Sequence, residues 1–334
     1  MVQIYGIDLS MEKFDVSFCT SDGKLMHKQI TNNLKCISTF LLKLPNDALL
    51  CAEYTGVYGD LLVFLAEQNK VPISLVSGYE IKHSLGLQRG KSDLIDADRI
   101  REYADRFKDK LQLTHFQSEQ IYELEELYRT RNLLIESRKR IQTAMKSEDH
   151  KPFVSLAANQ ARNSSLLALN SQIAQLENQI QELIYSNKEL KENYEIVTSI
   201  TGIGPVTACD LIIKTGNFKR IDTARKCAAY AAVAPYPKSS GKMSCNNKIS
   251  NMGDVQLKSL LFLCANSAKV HNKEILLYFR KKYEVEKKPF FLVMNNISNK
   301  LLHIMYALIK KQEKYDRTYI QLDPREKQIQ ELIN

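Results

Sequence analysis

Four carboxylates in the first third of the chain have the types and positions for metal chemistry. Asp8 lies in an alternating apolar run, Val2–Leu9, and Glu53 lies near the end of a short apolar run, Leu49–Tyr54. A carboxylate at the end of an apolar strand is costly unless something pairs with it. Asp93 and Asp96 are spaced i, i+3, so a helix would aim both along one face. Oxygen-rich clusters of this type suit Mg²⁺ or Mn²⁺, and two such ions can clamp both oxygens of a phosphoryl transfer. The two helical aspartates alone also read as N-terminal capping, since acids favour the first turn. All four on one α/β scaffold favour metal.

Two later segments carry candidate chemistry of another kind. Thr201 to Leu211 reads as helix, glycine turn, helix. Gly202 and Gly204 would let a backbone approach closely, and the next helix would open with free N–H groups suited to a phosphate. A plain helix hairpin is the alternative. In Ala234 to Met243, two prolines and one glycine predict an exposed loop holding Ser239, Ser240 and Gly241 between Lys238 and Lys242. A serine hydroxyl becomes a nucleophile only when a base or metal activates it, and basic neighbours would help hold a phosphodiester.

The elements that must position these groups change character along the chain. Up to about residue 100, strand and helix signals alternate. Val2–Leu9, Lys13–Thr20 and a strand after the Ser21–Gly23 turn form a meander, Leu49–Tyr54 fits a buried strand, Tyr58–Gln68 a helix and Pro72–Val76 another strand. A mixed α/β sheet is expected. From residue 93 the chain turns helical, with Asp93–Lys108, a basic helix from Ser118 to about Glu148, and a break at Lys151-Pro152. Leu166, Leu169, Ile173, Leu176, Ile180, Leu183, Asn187 and Leu190 form a heptad seam with Asn187 at an a-type position. The two long helices are expected to pair within the chain as an antiparallel hairpin, and pairing between chains is compatible with that. Short helices follow from Ile196, an amphipathic helix covers Lys288–Ile309, and the last dozen residues read as frayed.

Charge points to a polyanion. The chain has 334 residues and a net charge of +9, and eight Lys or Arg against one acid between Lys214 and Lys248 supply +7 of it. Within that stretch Lys219, Arg220, Arg225, Lys226, Lys238, Lys242 and Lys248 are candidate nucleic-acid contacts. Arg129, Arg131 and Arg138 come from a second basic stretch, Arg129–Lys151. A solvated basic face is the plain alternative. A composition of 44% hydrophobic and 25% charged residues excludes wholesale disorder. No stretch of about 18 apolar residues predicts a membrane span. The first nine residues read as a strand and not a signal peptide, so a cytoplasmic location is expected. Seven scattered cysteines without a C-x-x-C pair predict reduced, mostly buried thiols.

Together these residues resemble the DEDD transposases of bacterial insertion sequences, the group that includes Piv-type invertases and bridge-RNA-guided recombinases. The resemblance is carried by Gly6-Ile7-Asp8, Ala52-Glu53, Lys91 to Ala97, Gly202 to Pro205, Ala229 to Ala231, Pro235 with Ser240-Gly241, Ile249-Ser250, Gly253 and Lys300 to Leu302. Each motif is weak alone, and their ordered set is specific. Departures are Ala232-Val233 for the usual Gly-Leu, Asn251 where Lys is common, and Leu257-Lys258 for Leu-Arg. The resemblance implies a fold of α/β plus α: a RuvC-like (RNase H) domain over residues 1–115, a coiled-coil segment over 116–195 and a transposase domain with a helix-hairpin-helix-like motif over 196–334. It implies that Asp8, Glu53, Asp93 and Asp96 bind Mg²⁺ or Mn²⁺ and that Ser240 is the nucleophile. It further implies donor and target DNA, a structured guide RNA and a homo-oligomer, dimer to tetramer, as partners.

The expected activity is therefore a metal-dependent serine recombinase forming a phosphoserine–DNA link. The rival readings are a metal-dependent nuclease of the Holliday-junction-resolvase type and a non-enzymatic DNA-bridging protein.

Overall fold

Alternating apolar side chains fold the first residues into strands β1 (Gln3–Leu9) and β2 (Lys13–Cys19), which pair antiparallel. β3 (Leu25–Thr31) continues the meander, and β4 (Ala48–Glu53) and β5 (Ile73–Val76) add in parallel on the other side. The strand order is β3-β2-β1-β4-β5, the mixed sheet that the sequence predicts. The computed structural model describes residues 2–20, 22–84, 86, 93–240, 243–249 and 252–316, with backbone alone for 93, 148, 149, 235–240 and 243–249. The chain divides into two units, Met1–Gln117 and Ser118–Asn334.

Strand alternation gives the sheet two different faces. Tyr5, Ile7, Leu9, Phe14 and Val16 pack against Ile37 and Phe40 of α1 (Leu34–Leu41) and Leu62 and Leu65 of α2 (Asp60–Gln68). Ile4, Cys51 and Val76 point the other way. They meet Ile81 of α3 (Gly78–Ser84) and Ile100, Tyr103 and Ala104 of α4 (Asp93–Arg106). The β5 edge is covered by the chain after α4. The Thr114 amide donates to the Ile73 carbonyl at 2.8 Å and the Leu75 amide donates to Thr114 Oγ1 at 2.9 Å, which removes an open sheet edge.

The second unit begins with α5 (Glu119–Lys146) and α6 (Leu156–Ser186). Arg131 bonds Glu177 and Arg138 bonds Asn170. Partner numbers fall as the first numbers climb, so the two helices form an antiparallel hairpin. The heptad seam does not run on as the sequence suggests. Asn187 leaves the helix with extended backbone and caps α7 (Lys188–Ser199), its Oδ1 accepting from the Leu190 amide at 3.1 Å. Asparagine is among the best residues for satisfying an orphan amide at a helix start, and that local demand replaces the a-type role.

Helices α8 (Pro205–Thr215), α9 (Ala224–Tyr230), α10 (Val255–His271), α11 (Lys273–Arg280) and α12 (Phe290–Lys311) complete this unit. Leu211, Ile212, Cys227, Leu257, Leu261, Leu301 and Met305 form its core. The segment expected to be a loop is instead a hairpin, β6 (Pro235–Ser240) with β7 (Met243–Ile249). Pro237 falls at a register shift between Tyr236 and Lys238, where a strand tolerates a residue without an N–H. The frayed tail expected at the end lies outside the described residues. Among the described residues no helix is long and apolar enough to cross a membrane. Six free cysteines are described, four of them buried. Burial pushes the thiols of Cys51 and Cys209 up to about 12 and that of Cys227 to about 11.

α4 seats on β1 at Gly6, where a Cβ would overlap the Ala97 carbonyl and the Arg101 amide. Gly6→Ala should therefore lower stability by about 3 kcal/mol, in the range of overpacking a tight core. Denaturant unfolding checks this, and an unchanged midpoint would show that the helix seat is loose.

Candidate active site

Two of the four sequence-predicted carboxylates sit side by side at the sheet. β1 and β4 run parallel with Gln3 opposite Ala48 through Ile7 opposite Ala52. The same offset sets Asp8 abreast of Glu53 at the C-terminal ends of both strands, the end where open α/β sheets commonly bind ligands. Alternation turns both toward α4, away from the packed Ile7 and Ala52. The Glu53 carboxylate lies against Gly78, where a Cβ would overlap it. A small residue at that point is what leaves the carboxylate room.

α4 brings the third. Its buried residues Ala97, Ile100 and Ala104 pack on the sheet, and Asp98 pins it from the side. The Ser17 hydroxyl donates to Asp98 Oδ1 at 2.5 Å, and His27 Nε2 pairs with the same oxygen at 2.8 Å. Asp96, one residue before buried Ala97, is drawn to Arg99, whose Nη1 donates to Asp96 Oδ1 at 2.8 Å. Asp93 is the first residue of this helix, and its side chain is outside the described set.

The structure adds a carboxylate that the sequence reading missed. Asp15 stands directly opposite Asp8 in the β1–β2 ladder and is only 4% exposed. Gln29 Nε2 donates to its Oδ1 at 3.1 Å. The available signal was its place on the inward face of a predicted strand, where a charge is unexpected.

The second unit holds the remaining candidates. Gly202 has φ +103°, and a Cβ there would stand 2.7 Å from the Ala268 Cβ and 2.8 Å from the Cys264 carbonyl. Its glycine is needed for packing on α10. Gly204 is open, with nothing within 4 Å of where a Cβ would stand, and it precedes Pro205 at the start of α8. Lys219, Arg220, Arg225 and Lys226 are exposed. Lys219 pairs with Glu189 at 2.9 Å and Lys226 with Asp222 at 2.7 Å, on the surface, where such pairs hold weakly. Arg129 is exposed. Arg131 and Arg138 are turned onto α6 and serve the helix hairpin. Ser240 ends β6 and is paired with Met243. Ser239, Lys238 and Lys248 lie in the same two strands, their side chains outside the described set, and Lys242 lies outside the described residues altogether.

Known proteins match over both units. Residues 5–148 match the DEDD transposase family of the IS110 type, and residues 194–280 match the family described as Transposase IS116/IS110/IS902. The chain belongs to this transposase family. The pilin gene-inverting protein of Moraxella lacunata is 26% identical, across 93% of this chain and 97% of that protein. The transposase for insertion sequence element IS1111A of Coxiella burnetii is 23% identical, across 94% and 91%. The RuvC structure of Thermus thermophilus aligns over 34% of this chain and 99% of that one, at 13% identity and a TM-score of 0.26.

In this transposase the all-oxygen donor set of Asp8, Glu53 and Asp96 fits a hard divalent cation by its chemistry. Among the described residues no three His, Cys, Asp or Glu side chains converge on one point. Asp96 would have to turn from Arg99 to join a shared ion.

A buried carboxylate facing another carboxylate across a strand pair is destabilising. Asp15→Asn keeps the shape and an acceptor for Gln29 while removing that charge. It should raise thermal stability at neutral pH by about 1 kcal/mol without added metal, within the range for buried unfavourable charge. A loss of stability would show that Asp15 is held by more than Gln29.

Proposed function

We propose that this transposase cuts and rejoins DNA through a phosphoserine intermediate formed at Ser240. In this reading Asp8, Glu53, Asp93 and Asp96 hold Mg²⁺ or Mn²⁺. The observation that carries it is the placement of Asp8 and Glu53 abreast at neighbouring strand ends, beneath the helix that bears Asp96. An antiparallel meander extended by two parallel strands supports an RNase H-like reading of the first unit. The division into 1–115, 116–195 and 196–334 then follows the work done: cation binding, assembly, and presentation of the serine.

The bound cation would polarise the scissile phosphate and ease ionisation of the attacking hydroxyl. Ser240 Oγ attacks phosphorus, and the bond from phosphorus to the leaving deoxyribose oxygen breaks. The proton lost by serine is balanced by the one that the leaving oxygen takes up. One phosphodiester replaces another, so the strand can be rejoined without ATP. Lys219, Arg220, Arg225 and Lys226 would hold backbone phosphates, with the amides at the start of α8 beside Gly204 as a further phosphate contact.

The two relatives are named for inverting a gene and for moving an insertion sequence, and we extend DNA rearrangement to this chain in the cytoplasm. A structured bridge RNA encoded by the element would select donor and target DNA. The apolar seam of α6 is largely taken up against α5, with Ile173 and Ile180 buried. A homodimer that becomes a tetramer on nucleic acid would therefore use outward residues such as Phe153, Leu156 and Leu167.

Ser240→Ala should bind DNA normally and form no covalent adduct, while Ser239→Ala keeps activity. Asp8→Ala, Glu53→Ala, Asp93→Ala and Asp96→Ala should each cut strand transfer at least about a hundredfold and leave DNA affinity within about threefold. Gel assays with Mg²⁺ check both sets. Two alanine variants with full recombination would remove the tetrad, and cleavage without adduct would favour the resolvase-type nuclease.

A further inference from the structure

Several contacts tie the base of the β6–β7 hairpin to the core of its unit, and one of them runs through a lysine. α9 ends at Tyr230 just before the hairpin, and Gly253-Asp254 lead from the hairpin into α10. These two approaches touch. The Asp254 amide donates to the Tyr230 carbonyl at 2.9 Å, and the Tyr230 hydroxyl donates to Asp254 Oδ2 at 3.3 Å. A Cβ at Gly253 would overlap the Ala232 side chain and stand 2.9 Å from its amide. Asn295 of α12 fixes the entering strand from behind, its Nδ2 donating to the Val233 carbonyl at 2.7 Å.

Asp254 has two tasks. Its Oδ1 accepts from the Leu257 amide at 2.7 Å, capping α10, and from Lys214 Nζ, also at 2.7 Å. Lys214 in turn lies 3.0 Å from Asp210 Oδ2, one turn back along α8. The Lys214 side chain is 15% exposed and that of Asp210 is 2%. By sequence Lys214 belongs to the basic segment, yet its charge points inward. Burial pushes the Asp210 carboxyl above its ordinary range. Burial acts the same way on Asp254, but the Leu257 amide and Lys214 outweigh it and hold that carboxyl below its ordinary range.

A two-stranded hairpin is marginal by itself in water, so its direction is set by what grips its base. We propose that Lys214 is a positioning residue: by joining Asp254 to Asp210 it fixes the hairpin on α8 and so determines where Ser240 is presented. The effect on chemistry rests on Ser240 being the nucleophile; the effect on the hairpin does not. α8 is a rigid anchor, since eight of its residues are buried.

The test compares full-length Lys214→Met, Lys214→Arg and Asp254→Asn proteins. A second loss variant, Lys214→Met with Asp210→Asn, breaks the link without stranding a buried carboxylate. Amide hydrogen exchange over residues 235–249 is read beside exchange in the interior of α8, together with DNA affinity and the rate of adduct formation. Lys214→Met and the double variant should speed hairpin exchange about tenfold, as expected for a lost local restraint, and leave α8 unchanged. Adduct formation should slow by about tenfold with DNA affinity within about twofold, and Lys214→Arg should restore both, because the linkage is a charge-assisted bond. Asp254→Asn, which keeps the cap, should move the same way as Lys214→Met. Unchanged hairpin exchange in both loss variants overturns the proposal, as does equal loosening of α8. Faster hairpin exchange in a protein whose wild type forms no adduct would leave the positioning role standing and remove the serine mechanism.

Discussion

The seat of α4 on β1 is the constraint on which the candidate centre depends. With only hydrogen at Gly6, the backbone of the helix comes down onto the sheet between Ala97 and Arg101. Ser17 and His27 bond Asp98 and so tie the helix to β2 and β3 as well. Asp96 precedes Ala97, the residue that touches bottom. Its backbone position follows from that packing, and its side chain bonds Arg99. Acids on neighbouring strands carry a standing electrostatic cost, which opposite charge or a bound cation offsets.

That cost is distributed rather than local. Asp8 and Asp15 oppose each other in one ladder, and Glu53 lies one strand away. Gly78 gives the Glu53 carboxylate space, Gln29 gives Asp15 a donor, and Arg99 gives Asp96 a counter-charge. The second unit solves a related problem differently: Lys214 lies between Asp210 and Asp254, and all three hold an element in place. In the first unit the acids gather at neighbouring strand ends, whereas in the second they face a lysine.

Much of the sheet was legible because β1, β2 and β4 carry clean alternation or continuous apolar runs, and the register that places Asp8 beside Glu53 follows once those strands pair. α1 was not legible: of its eight residues only Ile37, Phe40 and Leu41 are buried, too short a pattern for a period to stand out. Asn187 fitted a heptad by spacing, but its side chain was worth more as a cap, a local choice that periodicity cannot register. Gly202 suggested backbone approach to a phosphate and is explained by the Ala268–Cys264 surface of α10, a contact between distant parts of the chain. Arg131 and Arg138 counted as basic charge, but Glu177 and Asn170 on the antiparallel helix engage them. Lys214 hid in a basic segment for the same reason: composition records charge and not direction.

A covalent serine link made with carboxylate assistance is the central claim, and mapping that link tests it most directly. Wild-type protein is incubated with Mg²⁺ and a donor DNA nicked to prevent rejoining, then digested with nuclease and protease. Mass spectrometry of the peptides is expected to find a nucleotide remnant on Ser240 and on no other residue. Cleaved DNA carrying a free phosphate, with every peptide unmodified, would contradict it.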